Sequence, residues 1–314
     1  MIIANEQLAK LQTNLIRSHS AGVGEPLSPA ETRRLLALRI NVLAKGYSGI
    51  RRDTVEKMVA AFNHDCLSVV PSQGTVGASG DLAPLSHLAL GLMGEGNMWD
   101  PDRPGERVQV PAAEVLRRKG LEPIRLEAKE GLAMINGTQM MTSIAAEATV
   151  RAESVAVTAD VACALSVEAL KGTPAAFEPC IHAARPHGGQ RDAARRLLAL
   201  LLPTSEIFRS HRYEGKVQDA YSLRCAPQVH GIAHDTIAFV ERLLEVELNS
   251  ATDNPMVFDE GRDALLVMRN DEELSSLRDA EPRDGRFKTH KRNSDTFYKA
   301  QGGFVISGGN FHGG

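Results

Sequence analysis

Apolar residues recur at helical spacing along most of this chain, and helix start and stop signals bracket the runs. Ser28-Pro29-Ala30-Glu31 combines a capping box with a proline at the first helical position. The helix it opens carries Leu35, Leu36, Leu38, Ile40 and Leu43 and stops at Gly46. Asp53 and Glu56 repeat the capping logic and predict a second helix running to Phe62. Thr138 to Leu170 contains neither proline nor glycine, is rich in alanine, and is ended by Gly172. Its length predicts the core of a helix bundle rather than a short surface helix. Gln218 to Leu248 reads as another long helix, kinked near Pro227. Prolines at 101, 104, 111 and 123 mark 100–129 as an excursion with short strands or a short helix. No internal repeat is present.

Composition narrows the class. With 314 residues, 43% apolar and 24% charged, the chain has ample core for one large domain or two ordinary ones. A net charge of −3 supplies no basic field for nucleic acid or an anionic membrane, so neither partner is expected. No uncharged apolar segment reaches 18 residues, and residues 1–25 lack the cationic start and apolar stretch of a signal peptide. Cys66, Cys163, Cys180 and Cys225 lie far apart in sequence and form no metal or disulfide pattern. Free thiols in a reducing, cytoplasmic compartment are the expectation, with no metal and no external cofactor.

The C-terminal region changes character. Between Asp259 and Lys299, 10 residues are acidic and 9 basic, and helical periodicity is lost. A disordered insertion is expected there. "GGFVISGGNFHGG" then resumes as a Gly-rich turn. The expected division is an N-terminal part at 1–135, a long-helix core at 136–258, the charged insertion at 259–306 and a pocket-closing turn at 307–314.

The segment "GTVGASGDLAPLSHLALG" carries the candidate chemistry. In a tightly bent chain the Gly80 nitrogen can attack the carbonyl carbon of Ala78, and loss of water closes a five-membered ring. Loss of water from Ser79 then leaves an exocyclic methylidene. The product is a 4-methylidene-imidazol-5-one, an electrophile built from the chain itself. Glycine offers the least hindered nitrogen and tolerates strained dihedrals. Gly74 and Gly77 permit the bend, and Asp81 can manage protons. The triplet alone is weak evidence, because Ser79 or Asp81 could equally cap the helix that follows.

Taken whole, that segment resembles the signature of the aromatic amino-acid ammonia-lyases. "RSHSAGVGEPLS", "LRINVLAKGYSGI", "EGLAMINGTQ", "VQDAYSLRCAPQVHG", "ELNSATDNPMVF" and "SGGNFHG" are similar, in the same order, to the branch of that family that acts on histidine. The resemblance implies a mainly α fold, the long-helix bundle shared with aspartase- and fumarase-like enzymes, with a smaller mixed N-terminal part. It implies non-oxidative deamination of L-histidine to trans-urocanate and ammonia, using the electrophile from Ala78-Ser79-Gly80. It also implies a homo-oligomer, a tetramer in the family.

Site residues follow from the same resemblance. Asn136, by position alone a helix-cap residue, becomes a partner of the ring and the substrate amine. Gln218, Tyr221, Arg224 and Gln228 recur at steps of three, three and four, which would place them on one helix face. Such a stripe is a solvated surface or a lined cavity. The resemblance favours the cavity, with Arg224 on the substrate carboxylate, Tyr221 beside the electrophile and Gln218 holding the pocket. His19, in a Ser18-His19 pair, would face the substrate imidazole, and Phe311 with Asn310 would close the pocket. His230 and His234 stand four apart, a spacing that can bind zinc. With no third ligand or adjacent glutamate, they read as structural. The family carries a tyrosine before the point where this sequence begins and a helical half, with a glutamate near the substrate, beyond its end. The chain is therefore expected to be truncated at both ends. The rival readings are an inactive fragment that keeps the lyase core, and a lyase or aminomutase acting on tyrosine or phenylalanine.

Overall fold

The computed structural model describes residues 7–77, 80–201, 209–210, 217–259 and 303–306. They form two compact units, one of residues 1–143 with 247–314 and the other of 144–246.

The first unit begins with α1 (Leu8–His19), an amphipathic helix burying Gln12 and Ile16. Strand β1 (Val23–Pro26) follows, then α2 (Pro29–Ala44), which starts at the capping box its sequence predicts. Glu31 N–H donates to Ser28 Oγ at 3.3 Å while Ser28 N–H donates to Glu31 Oε2 at 2.6 Å. Helix α3 (Arg52–Asn63) departs from expectation, because its N-cap position is Arg51 and Asp53 lies inside the first turn. Arg51 N–H instead donates to buried Glu130 Oε1 at 2.9 Å, and that long-range partner fixes the helix start.

Strand β2 (Pro71–Gln73) pairs antiparallel with β1, Val23 opposite Gln73 and Pro26 opposite Pro71. Helix α4 (Leu82–Leu92) is almost wholly apolar and runs through the core. The proline-marked excursion holds β3 (Asn97–Trp99) and β4 (Gln109–Pro111), an antiparallel pair, then α5 (Ala112–Arg118). Helix α6 (Glu130–Ile135) precedes the first turn of α7 (Gln139–Ala169). Ile16, Leu35, Leu36, Leu43, Met58, Leu85, Leu88 and Met134 form one buried cluster from α1 to α4 and α6. Each such side chain contributes about 1.5–3 kcal/mol by leaving water.

The second unit contains most of α7, a 3-10 turn at Pro174–Phe177, α8 (Pro179–Ala183), α9 (Gly188–Leu201), α10 (Tyr221–Arg224) and most of α11 (Ala226–Leu248). Its own core is Ala164, Val167, Phe177, Leu197, Leu201 and Ala226. The predicted continuous helix from Gln218 is interrupted: Gln218 precedes α10, and Cys225 separates α10 from α11. Pro227 sits in the first turn of α11, where its missing N–H costs nothing, so it helps to start that helix rather than kink it. In the first unit the chain continues as β5 (Met256–Asp259), paired antiparallel with β6 (Gly303–Ile306). The insertion expected at 259–306 overlaps this pair, since Asp259 ends β5 and Gly303–Ile306 forms β6; its other residues, 260–302, lie outside the described residues.

Candidate active site

The electrophile segment is held by its ends. Ala78 and Ser79 themselves lie outside the described residues. Thr75 Oγ1 accepts from Gly77 N–H at 3.0 Å, and Gly80 N–H points back to Gly77 O at 3.4 Å. Gly80 has φ +101, a backbone conformation that side chains resist. It is pressed against the Asn136–Gly137 peptide. A Cβ at position 80 would stand 2.9 Å from Gly137 O, 3.0 Å from Gly137 N and 3.2 Å from Asn136 Oδ1. Glycine is therefore required at position 80 on two separate grounds.

Asp81 is fully buried, and its carboxylate does not cap α4, the helix that begins at the next residue. Oδ1 accepts from Thr75 Oγ1 at 3.1 Å, and Oδ2 accepts from Met141 N–H at 3.0 Å, in the first turn of α7. The carboxylate thus faces the positive end of another helix. Burial nevertheless pushes the Asp81 carboxyl above its ordinary range, against the pull of Met141 N–H, Thr75 and Arg39. Asp81 N–H donates to Gly137 O at 2.6 Å, which locks the exit of the segment onto the same peptide that seats Gly80.

Asn136 ends α6 rather than starting α7; its N–H donates to Leu132 O at 2.9 Å and its Nδ2 to Asn254 O. The Oδ1 end remains beside Gly80. His19 ends α1, half-buried, with Nδ1 2.9 Å from Leu15 O and 3.0 Å from Ser18 Oγ. His19, Gly80, Asp81 and Asn136 therefore all belong to the first unit.

Gln218, Tyr221 and Arg224 belong to the second unit. Gln218 is exposed in the turn before α10, so the four-residue stripe does not lie on one continuous helix. Tyr221 is 71% exposed, and a hydrogen bond with the Cys225 side chain holds its phenol above the ordinary range. Arg224 is half-buried; its Nε donates to Asp219 O at 3.1 Å and its guanidinium carbon lies 5.4 Å from the Tyr221 ring centre. Asn310 and Phe311 lie outside the described residues.

Several residues around the segment were not singled out from sequence. Arg39 of α2 is fully buried, its Nη1 donating to Gln139 Oε1 at 2.6 Å and its Nη2 to Ala133 O. Burial lowers its pKa to about 10, against the attraction of Asp253 and Asp81. Asp253 is also fully buried, 3.5 Å from Lys129 Nζ. His87 of α4 accepts Gly22 N–H at Nε2, 3.1 Å away, and burial lowers its pKa. One signal for Arg39 is present in the sequence. It falls three and four residues from Leu36, Leu35 and Leu43, on the buried stripe of α2.

His230 and His234 have a structural partner. Fully buried Asp160 of α7 lies 2.7 Å from His230 Nδ1 and 2.9 Å from His234 Nε2, and it also accepts from Arg196 of α9. Three helices of the second unit are joined through one carboxylate.

The family model described as aromatic amino acid lyase matches residues 1–314. The chain belongs to the aromatic amino acid lyase family. Within this lyase family it is 59% identical over 260 residues to histidine ammonia-lyase of Mus musculus, covering 82% of this chain and 39% of that protein. The crystal structure of histidine ammonia-lyase from Trypanosoma cruzi is similar at 52% identity and a TM-score of 0.72, over 82% of this chain and 47% of that one. Tyrosine aminomutase from Streptomyces globisporus, at 39% identity and a TM-score of 0.73, shares the architecture over 83% of this chain and 52% of that one. The chain thus spans about half or less of the length of these lyase-family relatives. The mainly α ammonia-lyase fold expected from sequence is the fold observed.

Proposed function

We propose that this chain carries the chemistry of histidine ammonia-lyase, eliminating ammonia from L-histidine to give trans-urocanate. The observation that carries the reading is the seat of Gly80, left-handed, free of a side chain and fixed on Asn136–Gly137 beside buried Asp81. That seat fits the requirement of a 4-methylidene-imidazol-5-one formed from Ala78-Ser79-Gly80, which supplies an electrophile able to turn the substrate amine into a better leaving group. Asn136 orients the amine, and Asp81 holds or moves a proton beside the segment. Arg224 takes the carboxylate through its planar fork. Tyr221 handles the β-proton, Gln218 holds the pocket, Phe311 closes it, and His19 faces the substrate imidazole. The percentage identity to relatives named histidine ammonia-lyase exceeds that to the aminomutase and favours histidine over tyrosine.

The active form is proposed to be a homo-oligomer, a tetramer. Val229, Ile232, Phe239, Leu243 and Val246 are all exposed on α11 and follow alternating steps of three and four through Thr236. That spacing is the seam of a packed helix pair. The proposed compartment is the cytoplasm. Its support is that all four cysteines are free, as expected of a reducing compartment.

The test is the mass of the proteolytic peptide spanning 78–80, followed by urocanate absorbance on addition of L-histidine. A deficit of two waters and urocanate formation are expected, both abolished by Ser79→Ala. The unmodified mass, or turnover near the parent level in Ser79→Ala, would refute the electrophile.

A further inference from the structure

Arg39 lies in the middle of α2, on the stripe that otherwise buries Leu35, Leu36 and Leu43. A fully buried arginine is costly unless its donors are satisfied, so its contacts are informative. Its two terminal nitrogens span two elements. Nη2 reaches Ala133 O in α6, and Nη1 reaches Gln139 Oε1 at 2.6 Å, at the start of α7. Gly137 lies between those two anchor points in sequence. A Cβ at position 137 would overlap both Arg39 Nη1 and Gln139 Oε1, so the guanidinium lies directly against the Gly137 α-carbon.

The peptide atoms of Gly137 face the electrophile segment. Gly137 O accepts Asp81 N–H at 2.6 Å, and Gly137 N and O form the floor under Gly80. Asn136 and Gln139, on either side, are tied onward. Asn136 Nδ2 donates to Asn254 O, and Gln139 Nε2 donates to Thr252 Oγ1 at 2.8 Å. Arg39 is therefore at the back of a sandwich whose middle layer is the Gly137 peptide and whose front is Gly80-Asp81. It also stands as a cation toward the buried carboxylates of Asp81 and Asp253.

We propose that Arg39 is a positioning residue for ring closure at Ala78-Ser79-Gly80. Its buried cation holds the Gly137 peptide on which Gly80 and Asp81 are seated. The inference rests on the electrophile reading above. Gly80 N must be presented to the carbonyl carbon two residues before it, and a floor that shifts by an ångström misaligns that attack. Arg39 acts through Gly137, against whose α-carbon its guanidinium lies.

The experiment compares the full chain with Arg39→Met, Arg39→Gln and Arg39→Lys by two readouts. One is the water deficit of the 78–80 peptide. The other is amide hydrogen exchange in peptides covering 80–92 and 136–142, with α3 as internal control. In Arg39→Met the two-water deficit should disappear and exchange at Asp81 should rise roughly tenfold or more, with α3 unchanged. Arg39→Lys, which keeps the cation, should recover most of both. Parent-like values in Arg39→Met overturn the proposal, as does a lysine variant no better than methionine. Loss of the whole fold in both the Met and Gln variants would make Arg39 a general stabiliser and overturn it equally. A parent chain lacking the water deficit sinks the electrophile reading, and the exchange data then still decide the role of Arg39.

Discussion

At Gly80 a dihedral and a contact independently exclude a side chain, and each has a separate consequence. Gly80→Ala meets a φ of +101 and a Gly137 O at 2.9 Å from the new Cβ. The variant should be destabilised by about 1–3 kcal/mol and should fail to close the ring. Thermal melting measures the first and peptide mass the second; a variant matching the parent in both would contradict the seat. Asp81, the next residue, illustrates why sequence positions mislead about partners. Its place before α4 suggests a cap for that helix, yet its carboxylate serves the first turn of α7, whose Met141 is distant in sequence. Asn136 likewise ends α6 instead of opening α7. The types of these residues were legible; the helix end each one serves was not, because those contacts are non-local.

Among elements, the helices with local signals were legible and those with distant anchors were not. Helix α2 starts at its capping box, and α7 extends from Gln139 to Ala169, within a residue of the Pro- and Gly-free stretch at each end. Helix α3 starts where Arg51 meets Glu130, a contact no local pattern encodes. For Arg39 the apolar stripe of α2 signals burial, while its partners Ala133 and Gln139 are non-local and no local pattern encodes them. The join of α7, α9 and α11 at Asp160 carries its own prediction. Burial alone would raise the Asp160 carboxyl, but hydrogen bonds from His230, His234 and Arg196 hold it below its ordinary value of 3.8. Its contribution to stability is therefore present above that value and lost as pH falls through the lower, folded one. Asp160→Ala strips three side chains of their shared acceptor and should cost about 3–5 kcal/mol near neutrality. The deficit relative to the parent should shrink in melts taken below the folded value. An equal deficit at every pH would show that the carboxylate charge is not what joins the helices.

At the scale of the molecule, the exposed seam on α11 predicts self-association. Light scattering should give a mass that rises with concentration, and Phe239→Lys with Val246→Lys should return it to one chain without lowering helix content. A mass indifferent to both substitutions would place the interface elsewhere. The ladder of β5 and β6 leads to a different expectation. Met256 pairs with Ile306 and Asp259 with Gly303, so the two ends of 260–302 are held side by side. Removing 263–299 shortens a closed loop, which lowers its closure entropy by about 2 kcal/mol at most. The melting temperature should stay the same or rise slightly; a large fall would show that the excised residues support the fold. In evolutionary terms the same ladder uncouples length from fitness. Because closure entropy changes only logarithmically, residues can be gained or lost between Asp259 and Gly303 under almost no selection for stability. Descendants of one ancestral chain are then free to diverge there in length while β5 and β6 stay paired.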